Sequence, residues 1–248
     1  MVIRWLSLIL IFASCQPSIE HYKLDHKAEI ISISHKNTNV YIIANGTDQV
    51  MIDAGYAGTE KTLEEAIADS GIDIRKISHL ILTHGHGDHA GNAAYLKSKY
   101  NIEIIAGYGD APMFAKGDNG DLCPTTTTGK LLSWFIENEF PKVEIDHYIQ
   151  SGDTLSLMND AVRIFNLAGH TPGSIIIQYE DALIVGDLIR GQPLNNERPT
   201  RHYYMCDTAD NNIDIKTLLQ IEGIKTWYPG HFGPLHVADI SEWLNRQI

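Results

Sequence analysis

Lysine and arginine are in short supply, 19 against 31 aspartates and glutamates, leaving a formal charge of −12. A partner held through its phosphates needs clustered basic side chains, so nucleic acid is set aside and a small-molecule substrate is expected. The acidic residues form no block or tail, and spread over a solvated surface they keep a domain soluble. Cysteine is scarcer still. Apart from Cys15 there are only Cys123 and Cys206, and from sequence alone a disulfide between them and two buried free thiols are both open. Long apolar runs are missing too: residues 5–12 (WLSLILIF) fall short of the about 20 that cross a bilayer as a helix. Repeats are absent, and no linker divides the chain. At 248 residues and 44% hydrophobic, one domain with a large core is the default.

The first residues are of a different kind. Arg4 gives a small positive start, the apolar run follows, and Ala13-Ser14-Cys15 comes at once. A run of this length reads as the core of a signal peptide. The order of apolar run, two small residues and cysteine resembles the lipobox of bacterial lipoproteins, with Phe12 where that family usually has Leu. The resemblance implies cleavage before Cys15, acylation of Cys15, export to the cell envelope, and attachment to a membrane by the lipid anchor only. An ordinary secretory signal would export the chain equally. Residues 1–14 are then the signal peptide, 15–27 a polar tether, and 28–248 the folded domain.

Three short runs rich in β-branched residues open that domain, at 29–34, 39–44 and 49–53, with Asn45-Gly46 as a turn. Residues 59–70 show helical spacing closed by Gly71. Residues 79–83 read as a strand and 93–100 as a helix, so 83–92 joins them as a loop, where functional groups are held on a rigid frame. Further strands are expected at 102–106, 143–148, 162–167, 174–178, 183–186 and 225–228, and helices at 130–138, 214–221 and 237–246. The sum is α+β, sheets in two layers with outer helices.

The chemistry concentrates in His84-Gly85-His86-Gly87-Asp88-His89. A catalytic ion that keeps an open position usually takes three protein ligands. Three imidazoles and a carboxylate in one loop exceed that, and two ions are the simpler account. Gly85 and Gly87 let the chain turn tightly and approach an ion closely. Alone, the stretch also fits a surface loop or a helix-capping aspartate. Further pieces recur downstream, each after an apolar run: Ala168-Gly169-His170-Thr171-Pro172-Gly173-Ser174, then Val185-Gly186-Asp187, then Tyr228-Pro229-Gly230-His231.

This order of HxHxDH, His, Asp and His resembles the metallo-β-lactamase superfamily, over nearly the whole stretch 53–231. The resemblance implies a four-layer αβ/βα sandwich, two mixed sheets flanked by helices, with two zinc ions per chain and hydrolytic activity. Position by position it implies His84, His86 and His170 on the first ion, Asp88, His89 and His231 on the second, and Asp187 bridging the two. Asp53, in Ile52-Asp53-Ala54-Gly55, matches a carboxylate that stands behind the ligands; a turn or cap aspartate is the other reading. Imidazole and carboxylate donors suit zinc, and also iron and manganese. A water shared by two ions has its pKa lowered from 15.7 toward about 7, which supplies a nucleophile without serine or cysteine. Asp187 is expected to be essential for turnover, and Asp88 to orient the nucleophile or relay its proton.

Departures from subfamilies narrow the substrate. The commonest metal-dependent β-lactamases carry cysteine where this chain has Asp187, which disfavours β-lactams. Glyoxalase II enzymes share the bridging Asp but add a C-terminal helical region for glutathione, and only a short segment follows His231. Lactonases acting on acylated homoserine lactones share the Asp and the compact domain. A small ester, lactone or thioester is the expected substrate. From other classes stand a persulfide dioxygenase with one iron and a non-enzymatic metal-binding envelope protein; the complete second ligand set argues against both.

Two loops, 107–129 and 188–212, are expected to wall the pocket. The second holds Arg190, Arg198, Arg201, His202, Tyr203 and Tyr204, which suit an anionic group or a developing oxyanion as well as they suit a solvated loop. His21, His26, His35, His79, His147, His202 and His236 read as surface or packing residues, His202 set apart by that loop.

Overall fold

The computed structural model describes residues 16–24, 28–46, 48–150, 153–158 and 162–247. Cys15 and the segment expected to be a signal peptide lie outside the described residues. The chain opens with β1 (Ser18–Lys23), β2 (Glu29–His35), β3 (Thr38–Asn45) and β4 (Asp48–Ile52), each antiparallel to the next. Alternation along these strands sends Ile31, Ile33, Val40, Ile42 and Met51 to one face and Ile30, Tyr41, Ile43, Val50 and Ile52 to the other, as a sheet buried on both sides requires. Helix α1 (Glu60–Asp69) then leads to β5 (Ile77–Leu82), α2 (Gly87–Ala90), α3 (Ala93–Tyr100), β6 (Glu103–Gly107), α4 (Ala111–Lys116), α5 (Thr127–Leu132) and β7 (His147–Ile149). Strands β4 to β7 pair in parallel, completing a seven-stranded sheet in sequence order.

The second half contributes β8 (Thr154–Leu157), β9 (Val162–Asn166), β10 (Ile175–Tyr179) and β11 (Ala182–Gly186). A separate ribbon, β12 (Arg190–Gln192) with β13 (Asn195–Thr200), follows, then α6 (Thr208–Leu218), β14 (Thr226–Pro229), β15 (Leu235–His236) and α7 (Val237–Asn245). Its main sheet runs β15-β14-β11-β10-β9-β8, with β11 and β14 parallel. Three apolar clusters fill the spaces between layers. One joins the first sheet to α1 and α3, one packs the two sheets face to face, and one joins the second sheet to α6 and α7. The result is the expected α+β sandwich of two mixed sheets flanked by helices. Among the described residues no helix is long and apolar enough to cross a membrane.

Four expectations need correction. The polar stretch read as a tether contains β1, paired with β2 at all six positions; charged residues suit an edge strand, whose backbone pairing needs no apolar pattern. The strand expected at 143–148 is only His147–Ile149, because Val143 turns into the helix-side core and its N–H donates to the Phe114 carbonyl. The helix expected at 130–138 is instead α5, capped by the Thr126 hydroxyl, and a 3-10 turn at Ser133–Phe135 that leaves Trp134 and Phe135 exposed. Helix α6 begins well before residue 214, since the Asp207 carboxylate accepts from Ala209 and Asp210 N–H as an N-cap.

Candidate metal centre

The expected donors sit in the loops, and in one short helix, that follow strand ends. His84 and His86 follow β5, and Asp88 and His89 lie in α2. His170 follows β9, Asp187 follows β11, and His231 follows β14. The two sheets therefore supply opposite sides of one cluster. His86 Nδ1 lies 3.1 Å from His84 Nε2 and 3.2 Å from His170 Nε2. Two nitrogens on a tetrahedral zinc stand about 3.3–3.4 Å apart, given Zn–N of about 2.0–2.1 Å, so these three fit one ion between them. His231 Nε2 lies 3.3 Å and His89 Nε2 3.6 Å from Asp88 Oδ2, a second group. Asp187 stands between the two. Its Oδ2 is 3.9 Å from His84, 3.8 Å from His170 and 3.2 Å from His231, and its Oδ1 is 3.5 Å from His89.

Two interior atoms of this cluster are without a hydrogen-bond partner among the described residues. His89 Nε2 and Asp187 Oδ1 are buried and make no hydrogen bond, a cost of about 1–3 kcal/mol each that native proteins seldom leave uncompensated. Space is kept for them as well: a Cβ on Gly230 would lie 2.3 Å from Asp187 Oδ1. Donor chemistry, spacing and orphaned atoms all fit divalent ions.

Outside the cluster three of the imidazoles, His84, His89 and His231, are anchored by the far nitrogen. Asp53 Oδ2 accepts from His89 Nδ1 at 2.8 Å, while both Asp53 oxygens accept from Thr83, through its N–H at 2.7 Å and its hydroxyl at 2.8 Å. Asp53 therefore lies behind His89, at φ +61° on the turn out of β4. His231 Nδ1 donates to the Asn37 carbonyl at 2.7 Å, and His84 Nδ1 pairs with the Thr83 hydroxyl at 3.1 Å.

Protonation divides the cluster. Burial pushes His84 well below the usual imidazole range, His86 down to about 4 and His170 down to about 3, so this trio presents neutral nitrogens. Burial acts the same way on His89 and His231, but Asp88 beside the first and Asp187 beside the second outweigh it, and His231 is pushed up to about 10. Burial disfavours the charged Asp88 and Asp187 too, yet the neighbouring histidines hold both well below the usual carboxylate range.

Three features escaped the sequence reading. His202, which follows β13, is buried, with Nε2 3.2 Å from Asp187 Oδ2. Asp110 is buried beneath the loops and accepts from Gly85 N–H, Gly173 N–H and the Thr171 hydroxyl at 2.8, 2.8 and 2.6 Å; its neighbours Gly107, Tyr108 and Gly109 signal only a turn. Cys123 and Cys206 form a disulfide, which resolves the alternatives left open above. The arginines of the 188–212 loop do not converge on an anion site. Arg190 lies 4.0 Å over the Tyr203 ring, Arg201 donates to Asn211 and Asn212, and Arg198 is exposed.

Comparison with known proteins agrees with this geometry. A probable metallo-hydrolase from Methanocaldococcus jannaschii is 28% identical over 196 residues, 79% of this chain and 87% of that protein. A hydroxyacylglutathione hydrolase from Anaeromyxobacter dehalogenans is 25% identical over 62% of this chain, and an atrochrysone carboxyl ACP thioesterase from Aspergillus aculeatus 24% over 79%. The chain spans about half the length of these last two, 47% and 51%. Among solved structures, a subclass B3 metallo-β-lactamase of Bradyrhizobium japonicum superposes with a TM-score of 0.66 at 17% identity, covering 95% of this chain and 94% of that one; the likeness is one of fold. The family model of the metallo-β-lactamase superfamily matches residues 34–231, a span that holds every donor described above, and the chain belongs to that superfamily.

Proposed function

We propose that the protein is a hydrolase of small esters, lactones or thioesters that works with two zinc ions. The observation that carries this reading is the position of Asp187, whose carboxylate lies between two separate donor groups and faces both. His84, His86 and His170 would hold one ion, Asp88, His89 and His231 the other, with Asp187 shared. Bound there, the ions supply Lewis acidity and a water whose pKa falls from 15.7 to about 7.

The chain's own residues do the rest. The neutral trio offers lone pairs without first losing protons. Asp53 keeps the His89 proton on Nδ1 and so aims Nε2 inward. Asp88 is only partly buried and accepts from the Thr38 hydroxyl at 3.3 Å; it stands where a nucleophile's proton can be taken and passed to solvent.

Two observations support an acyl substrate. Gly87 is met by Asn119, whose Oδ1 accepts from Gly87 N–H at 2.7 Å, and by Phe140 packed beside it. The segment between those residues therefore leaves and returns at the donor loop, and it exposes Leu131, Trp134 and Phe135. Such a surface suits an apolar chain. The relatives named as thioesterase and hydroxyacylglutathione hydrolase cleave bonds of this class by their names. Export fits the Cys123–Cys206 disulfide, which persists in oxidising compartments; acylation of Cys15 is read directly from the mass of the mature protein.

The test is metal content together with turnover on a panel of lactones, thioesters, phosphodiesters and a chromogenic cephalosporin. Two zinc ions per chain, with acyl hydrolysis lost in His86→Ala, is the expected result. One iron with no hydrolysis moves the protein to the oxidative class, and a metal-free chain inert to the whole panel overturns the proposal.

A further inference from the structure

We infer that His202 is an additional protein ligand of the second ion, one that no motif of the superfamily pattern in this sequence contains. The inference rests on the dinuclear reading above. Four observations carry it. His202 Nε2 reaches Asp187 Oδ2 at 3.2 Å, the same distance as His231 Nε2. Asp187, His202 and His231 each offer a donor atom, and all three atoms lie within 4.8 Å of one another. The His202 and His231 rings stack at 5.3 Å with 17° between planes, which sets their two Nε2 atoms side by side against one carboxylate oxygen. Finally, His202 Nδ1 lies 3.2 Å from the Tyr204 carbonyl oxygen and 3.3 Å from the Tyr204 backbone nitrogen. A proton on Nδ1 donated to that carbonyl leaves the Nε2 lone pair facing the cluster, and a backbone carbonyl behind a histidine is how metal ligands are commonly held. His231 has the same arrangement with the Asn37 carbonyl.

The surroundings keep His202 in place. Its loop is fastened to residues 123–129 by the Cys123–Cys206 disulfide, by Thr125 N–H to the Tyr203 carbonyl at 2.8 Å, by Met205 N–H to the Cys123 carbonyl at 2.9 Å, and by the Tyr204 hydroxyl to the Gly129 carbonyl at 3.2 Å. A surface histidine needs no such fastening, and a packing histidine is not aimed at a carboxylate already shared by two donor groups. With His202 added, the second ion has three imidazoles and two carboxylates within reach, against three imidazoles and one carboxylate for the first. Fewer positions remain for water or substrate on the second ion, so substrate would meet the first ion's side.

Cobalt(II) tests this directly. In the cobalt-loaded protein each ligating histidine that keeps a ring N–H gives one exchangeable, strongly shifted proton resonance. Wild type is expected to show such a signal from His202 beside those of the other ligands. His202→Ala should lose that one signal, and its second cobalt ion should bind roughly 10–100-fold more weakly while the first binds unchanged. His202→Gln, close in volume, guards against a packing effect and should lose the same resonance. If both variants keep every shifted resonance and bind both ions as wild type does, His202 is no ligand and the dinuclear reading stands. If wild type takes up no second cobalt ion, both fail together.

Discussion

The Asp110 carboxylate accepts the Thr171 hydroxyl at 2.6 Å and through the same side chain holds two loops from different sheets. Gly85 lies between the first two histidines, and Gly173 closes the turn that carries His170; both donate their N–H groups to this one residue. Asp110 is fully buried, and burial raises its pKa even against those three hydrogen bonds. Asp110→Ala leaves three buried donors unsatisfied, so a loss of at least about 3 kcal/mol in urea unfolding is expected. Zinc affinity of the first site should fall with it. An unfolding midpoint equal to wild type would remove Asp110 from this role.

Asp53→Ala frees the His89 ring, whose Nδ1 Asp53 holds from behind. Affinity for the second ion should drop roughly 10–100-fold, as for other residues that orient a metal-bound histidine, with the first ion little affected. Competition with a chelator of known affinity separates the two steps.

The two halves of the cluster should answer differently to pH. His86 and His170, at about 4 and about 3, are already neutral at pH 7, so the first ion displaces no proton from them. His231 keeps its proton up to about 10 in the metal-free protein, so an ion binding there must expel it. Affinity for the second ion should therefore rise with pH, about tenfold per unit for each proton displaced, and level off above 10. Calorimetry in buffers of different ionisation enthalpy counts those protons; equal pH dependence for both ions would contradict the assignment.

Reduction of the Cys123–Cys206 disulfide, or Cys123→Ser, should cost about 2–4 kcal/mol of stability for a bridge between residues 83 apart. It should also loosen the loop that carries His202. Urea unfolding with and without reductant gives the first quantity, and second-ion affinity the second. A reduced protein as stable as the oxidised one would show that backbone pairing alone holds the loop.

Much of this was readable beforehand because the evidence was local. His84 to His89 put four donors in six residues, and the downstream donors each followed a run read as a strand. Asp53 stood at the end of such a run. What stayed hidden depends on distance in sequence. His202 sits in Arg201-His202-Tyr203-Tyr204, with no ligand spacing, and is aimed by a disulfide whose other half lies 83 residues away. Asp110 follows a Gly-Tyr-Gly turn, and nothing local shows that the turn sits under two other loops. Strand β1 was misjudged because backbone pairing to β2 leaves no apolar signature in residues 18–23.

The seam between the sheets has one more consequence. The first sheet provides Asp53 and residues 84–89, the second provides His170, Asp187 and His231, and Asn39 ties them by donating its backbone N–H to the Gly230 carbonyl at 2.7 Å. Ions seated between such halves act as rivets. On the two-ion proposal, each ion at a free concentration 100 times its dissociation constant would add about 2.7 kcal/mol to the native state, so chelation would both silence the proposed site and expose the same molecule to proteolysis.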